Sequence, residues 1–151
     1  MTSPWENDSA ENTMEQLINI LKTENCSLVL RTSDGTIHRR FGRGISDLYQ
    51  IYISEPHLLD DADVADKVVG RGAATLMIMG GVKRLHAVVM SQNALSFLND
   101  SAVEFSCDSL VDTIINRSGD GICPVEKLTA EASCVEEATD LIMEFFAKNE
   151  Q

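Results

Sequence analysis

The sharpest constraint in this chain is the pair Asp34-Gly35, set between the apolar run Leu28-Val29-Leu30 and a second extended segment from Ile37 to Phe41. Glycine takes the left-handed backbone a tight reversal needs, and aspartate bonds its own backbone. The pair therefore predicts a β-hairpin with strands over 27–32 and 37–41. A sheet begun this way is antiparallel at one side, so later strands joined by helices make it mixed.

Helical spacing marks the segments around the hairpin. Met14, Leu17, Ile18 and Leu21 share one face, and Thr13 with Gln16 has the form of a capping box. After Gly42-Arg43-Gly44, Ser46-Asp47 opens a short helix carrying Leu48, Tyr49, Ile51 and Tyr52, which Pro56 closes. The stretch Asp63 to Met79 reads as one long helix, acidic at its start and ended by Gly80-Gly81. Gly70, Gly72, Ala73 and Ala74 leave part of its face nearly bare, so something must approach closely there, either the chain's own sheet or a second copy.

Leu85 to Met90 reads as a strand buried on both faces, and Ser91 as the N-cap of a helix running to about Asn99. Val103 to Cys107 is a further strand, and 116–125 a polar, glycine-rich loop. The last helix begins at the box Ser133-x-x-Glu136, with Val135, Ala138, Leu141, Ile142 and Phe145 on one face. This order predicts an α/β fold in which a hairpin precedes right-handed βαβ crossovers, with helices on both faces of a mixed sheet. Residues 1–11 are expected as a flexible tail and 12–150 as a single domain.

Charge narrows the partners. With 24 acidic and 12 basic side chains, net charge -12, the surface repels a phosphate backbone, which argues against nonspecific nucleic-acid binding. The strongest apolar stretch, Ala73 to Met79, is far shorter than the roughly 20 residues a bilayer needs. Met1 to Asp8 carries neither a basic cluster nor an apolar run, so no leader is read there and a cytoplasmic location is expected. Cys26, Cys107, Cys123 and Cys134 form no C-x-x-C pair and read as reduced thiols. All but Cys123 are expected as small apolar fillers.

Three segments stand out as more than packing: Gly42-Arg43-Gly44, Asp66-Lys67-Val68-Val69-Gly70, and the loop from Asn116-Arg117 to Cys123-Pro124. Together with the run Ala65 to Ala74, the Gly80-Gly81-Val82 turn and Ser91 after its strand, they resemble a family of short, mostly bacterial domains of unknown function. That family is placed in the cytidine-deaminase-like superfamily. The resemblance implies a layered deaminase-like fold without fixing an activity. Deaminases of that fold hold zinc through His-x-Glu and Pro-Cys-x-x-Cys helix starts. Here the corresponding positions read Asp66-Lys67-Val68 and Met90-Ser91-Gln92-Asn93-Ala94, and His86-Ala87-Val88 lacks the glutamate. Zinc deamination is therefore disfavoured, and no metal or cofactor is expected.

The same places still suggest a pocket beside helix starts at the carboxyl ends of strands. Arg43, Lys67, Arg71 and Arg117 fall in or near the three segments, which points to an anionic, phosphate-bearing or nucleotide-like small molecule. Gly42, Arg43, Gly44, Asn116 and Arg117 are the candidate ligand-binding residues. The bland reading, that these glycines make turns and these cations pair with carboxylates, carries equal weight. Asp66 and Lys67, read at a helix start, are candidates for proton transfer, against a solvated surface lysine. Ser91, the other catalytic candidate, reads first as an N-cap, then as a contact to the reacting part of the ligand, and last as a nucleophile, since no histidine partner is identified for it. Cys123 is a candidate nucleophile or redox thiol, against a buried structural one. Two functional classes follow: a metal-independent enzyme or former enzyme, and a noncatalytic sensing or interaction module, in either case expected as a homodimer.

Overall fold

The computed structural model describes residues 14–42, 44–116 and 118–149. The Thr13 end of the first capping box and the expected tail over 1–11 lie outside them, as do Arg43 and Arg117. Helix α1 (Met14–Thr23) leads into the hairpin β1 (Leu28–Arg31) and β2 (Ile37–Arg40). Then come α2 (Ser46–Ser54), a 3-10 turn at Pro56–Leu58, β3 (Asp63–Val69), α3 (Arg71–Gly80), β4 (Arg84–Ser91) and α4 (Gln92–Asn99). The chain continues through β5 (Glu104–Val111) and α5 (Pro124–Thr129) to α6 (Val135–Asn149).

The five strands form one mixed sheet in the order β2-β1-β3-β4-β5. The β1–β2 and β1–β3 pairs are antiparallel, and the β3–β4 and β4–β5 pairs parallel. The hairpin falls where its turn pair predicts it, with Gly35 at φ 91°. Alternation along the strands divides the core in two. Val29 and Ala65 face α1, meeting Met14, Leu17 and Leu21. Leu28, Leu30, Val64 and Leu85 face the other way, against Leu48 and Ile51 of α2, Leu76 and Met77 of α3, Leu98 of α4 and Ile142 of α6. Each such side chain removed from water contributes about 1.5–3 kcal/mol.

The expected long helix over Asp63–Met79 is corrected: its first half is strand β3, and only Arg71–Gly80 is helical. Buried Val64, Ala65 and Val69 suit a central strand, and Asp63, the acid that opens it, has partners no local pattern reveals. Asp63 accepts from Arg31 Nη1 at 3.1 Å and from Arg84 Nε and Nη2 at 2.8 and 2.7 Å, so two strands flanking β3 neutralise it. Asp66 and Lys67 accordingly lie in a strand, not at a helix start. The turn at the other end of α3 is as expected, with Gly81 as left-handed C-cap at φ 87°.

The bare face of α3 is covered by the chain itself. A Cβ at Gly72 would collide with Val125 of α5 and press on Ile45, the residue before α2. The close approach is thus an internal helix contact, and it lends the expected homodimer no support. Gly72→Ala is expected to cost about 1–3 kcal/mol, read as a lowered urea midpoint at unchanged m-value.

Three smaller expectations are also revised. β5 runs on to Val111, beyond the expected end at Cys107, because its exposed edge carries polar residues without leaving the sheet. Pro124–Thr129 is helical, with Pro124 at its first turn, where a missing N–H costs nothing. Ser133 Oγ bonds Glu137 Oε2 at 2.9 Å in place of the expected box with Glu136, and α6 starts at Val135. Of the cysteines read as fillers, Cys26 is buried and Cys107 half-buried, but Cys134 is exposed. No helix among the described residues is long and apolar enough to cross a membrane.

Candidate functional site

Parallel strands end where β3 passes into α3, and the chain leaves a cleft of about 580 Å³ at that end. Its lining comes from distant segments: Phe41, Gly42 and Gly44 before α2, Asp66 to Val68 on β3, Gly72 and Ala73 on α3, and Ile114 to Asn116 with Cys123 to Glu126 around α5. Six of the nine sequence-predicted site residues, Gly42, Gly44, Asp66, Lys67, Asn116 and Cys123, therefore share one cavity. Arg43 and Arg117 lie outside the described residues. Ser91 is not in the lining.

Ser91 is instead fully buried, and its Oγ accepts the N–H of Ala94 at 3.1 Å. The N-cap reading of this serine is the one the geometry bears out. Ser91→Ala is expected to lower stability by about 1 kcal/mol while leaving ligand binding in the cleft unchanged, checked by thermal melting and titration.

Asp66 is the most perturbed acid of the cleft. Its carboxyl is pushed up to about 7 by burial, against which the hydrogen bond from the Val68 N–H works to lower it. The Val68 bond, to Oδ1, is 3.3 Å long. Lys67, its neighbour, donates its ammonium to Asn25 Oδ1, another residue of the lining, just after α1. A carboxyl that exchanges its proton near neutrality inside a cavity is equipped to give or take one.

Glu126, which the sequence reading did not single out, organises the cleft. Its carboxylate is buried, accepting the Arg71 N–H at 2.8 Å on Oε1 and the Ile114 N–H at 2.8 Å on Oε2. It thereby caps α3 from a helix more than fifty residues later and pins the strand-like segment leading into the loop. Gly42 is engaged in a similar way, its N–H donating to Asp47 Oδ2 at 2.6 Å. The Gly42 N–H, expected to face a phosphate, is thus already held by the protein's own carboxylate.

Arg71 is also corrected. Its guanidinium bonds the carbonyls of Asn93 (3.1 Å) and Ala130 (2.6 Å) and the Ser96 hydroxyl (2.9 Å), and stacks 3.9 Å over the Phe97 ring. It ties α3 to α4 and to the α5–α6 connection, and is not a ligand cation. Asn116 lines the cleft while folding its own loop, donating to Asp120 Oδ1 at 3.1 Å and accepting from Ser118. Cys123 is half-buried, with its N–H on the Ile114 carbonyl at 2.8 Å. No histidine lines the cleft.

The chain's buried histidine sits elsewhere, on the α1 side of the sheet. His86 Nε2 faces Asp108 Oδ1 at 3.2 Å and Nδ1 meets Ser106 Oγ at 2.7 Å, while Lys22 of α1 reaches Asp108 at 3.1 Å. Burial pulls the imidazole pKa down, with Asp108 acting the other way. With Ser106 itself buried, this chain of groups links β4, β5 and α1. Among the described residues, no cluster of three or more His, Cys, Asp or Glu is placed to hold a metal.

These features define a mixed α/β protein with a preformed cleft at the carboxyl end of its central parallel strand, roofed by a late loop and helix. The chain belongs to the family described as a domain of unknown function, DUF1893 (TM1506), whose model matches residues 16–146. It is similar to the crystal structure of a DUF1893 family protein (TM1506) from Thermotoga maritima at 2.70 Å resolution. The two share 22% identity and a TM-score of 0.79 over 90% of this chain and 91% of that one. At that identity the likeness establishes the fold alone. No curated protein matches the chain.

Proposed function

We propose that the cleft binds a phosphate-bearing or nucleotide-like small molecule and acts on it without a metal. Asp66 and Lys67 handle protons, Cys123 touches the reacting part, and Arg43, Asn116 and Arg117, with the Gly44 backbone, hold the anionic part. The observation that carries this reading is convergence: residues from three segments spread over 80 positions of sequence line one cavity. Its size and its mostly apolar walls with a few polar groups suit a small organic ligand. We also read the fold as a zinc-free form of the cytidine-deaminase-like layering. A sheet begun by a hairpin and continued by two parallel crossovers supports that placement.

A noncatalytic sensing module is the second reading. It is favoured by the absence of a nucleophile–base pair in the cleft among the described residues: no histidine stands by Cys123, and Ser91 is sealed in a cap. Titration of nucleoside monophosphates and sugar phosphates into wild type, Lys67→Ala and Arg117→Ala tests the ligand assignment. Either substitution is expected to weaken binding about tenfold or more. Unchanged affinity and turnover in both would remove it. Tight binding without turnover would select the sensing module.

A further inference from the structure

Among the described residues of the cleft, one acid has no counter-charge. Asp66 lines the cleft together with Ile45, Leu48, Ala73, Ile114 and Val125, all apolar. Among the described residues, its carboxyl receives one hydrogen bond, from the backbone N–H of Val68 at 3.3 Å, while the Lys67 N–H is held by the Ser27 carbonyl. The lysine of the cleft, Lys67, gives its ammonium to Asn25. Glu126, on α5, is taken up by the Arg71 and Ile114 N–H groups, and Cys123 ahead of it offers no cation.

A backbone donor aimed at a carboxyl favours its ionised form, whereas apolar walls oppose it. A carboxyl meant to stay neutral would face an acceptor for its proton instead. The arrangement is complete once a positive group enters beside Asp66, since a buried charge is tolerated when it is paired. We propose that the cleft takes a ligand bearing an organic cation, an ammonium or amidinium group on an apolar or planar body, which pairs with Asp66. This rests on the cleft being a ligand site and narrows the ligand's class, alongside any phosphate at the Gly42–Gly44 turn.

Pairing requires the ionised carboxylate. With Asp66 titrating at about 7 in the free protein, affinity for a permanent cation rises roughly thirtyfold from pH 5.5 to pH 8.5, following the ionised fraction. The matched set benzamidine, benzamide and benzoate carries positive, zero and negative charge on one frame. These, with ribose 5-phosphate, are titrated at both pH values into the isotopically labelled full chain, wild type and Asp66→Asn, and amide chemical shifts are followed.

Benzamidine is expected to bind at least tenfold more tightly than its two isosteres, with the stated rise in pH. Asp66→Asn, which removes the charge and keeps the shape, is expected to erase both the preference and the rise. Its dispersed amide spectrum verifies that it is folded. Equal binding of benzamide or benzoate, or an unchanged preference in Asp66→Asn, would overturn the proposal. If ribose 5-phosphate binds and benzamidine does not, the cation is wrong and the ligand site stands. If none of the four binds, both readings fall.

Discussion

Asp66→Asn is expected to stabilise the folded protein by up to about 4 kcal/mol above pH 8 and by nothing measurable below pH 4. The carboxyl titrates at about 7 in the fold against an ordinary value of 3.8, because burial disfavours its charge. Between those two values the folded chain retains a proton that the unfolded chain has released. Wild-type stability therefore falls as pH rises from about 4 to about 7, at close to 1.4 kcal/mol per unit, and the loss stays constant above that window. Asparagine keeps an oxygen for the Val68 N–H and carries no charge, so the difference between the two proteins isolates this one group. Urea denaturation of both at intervals from pH 4 to pH 9 gives the difference directly. A flat difference, or one that grows toward acid pH, would mean that Asp66 is solvated or paired and is no poised acid.

Glu126→Ala is expected to cost about 3–5 kcal/mol, the largest loss of any single substitution considered. Removing the carboxylate leaves the Arg71 and Ile114 N–H groups without acceptors in a buried setting, at about 1–3 kcal/mol each, and also removes the bond from Thr113 Oγ1 at 3.4 Å. Glu126→Gln retains one acceptor oxygen and is expected to lose about half as much. Because the two N–H groups belong to the start of α3 and the root of the 116–123 loop, amide exchange in Glu126→Ala should rise first at both places. Exchange rising uniformly over the whole sheet would show that Glu126 is merely one more core contact.

The sequence reading reached the parts of the fold that local chemistry determines. Asp34-Gly35 sets its hairpin, Gly81 ends α3 because the backbone there turns left-handed, and Ser91 caps the helix that follows it. β3 was hidden because its charges belong to other strands. Asp63 is satisfied by Arg31 and Arg84, and Asp66 looks into a cavity, so the acids that resemble a helix start are consequences of tertiary structure. Glu126 was hidden for the same reason. In Pro124-Val125-Glu126-Lys127 it reads as an ordinary surface acid, and the bare face at Gly70 and Gly72 pointed to a close approach by the sheet or a second copy, whereas Glu126 and Val125 of α5 are what press there. The three segments chosen for their composition do meet in one cleft, because glycine turns and strand ends gather where parallel strands finish. Ser91 was drawn in by its place after a strand, yet its hydroxyl is used locally.

The central claim is that this cleft is a ligand site. The most direct test is a thermal-shift screen of wild type and Arg117→Ala against nucleotides, sugar phosphates and amino-bearing anionic metabolites. Specific ligands raise apparent stability by mass action. A rise of several degrees for one phosphate-bearing class, reduced in Arg117→Ala, is the expected result. A wild type that no compound shifts would contradict it and direct attention to protein partners.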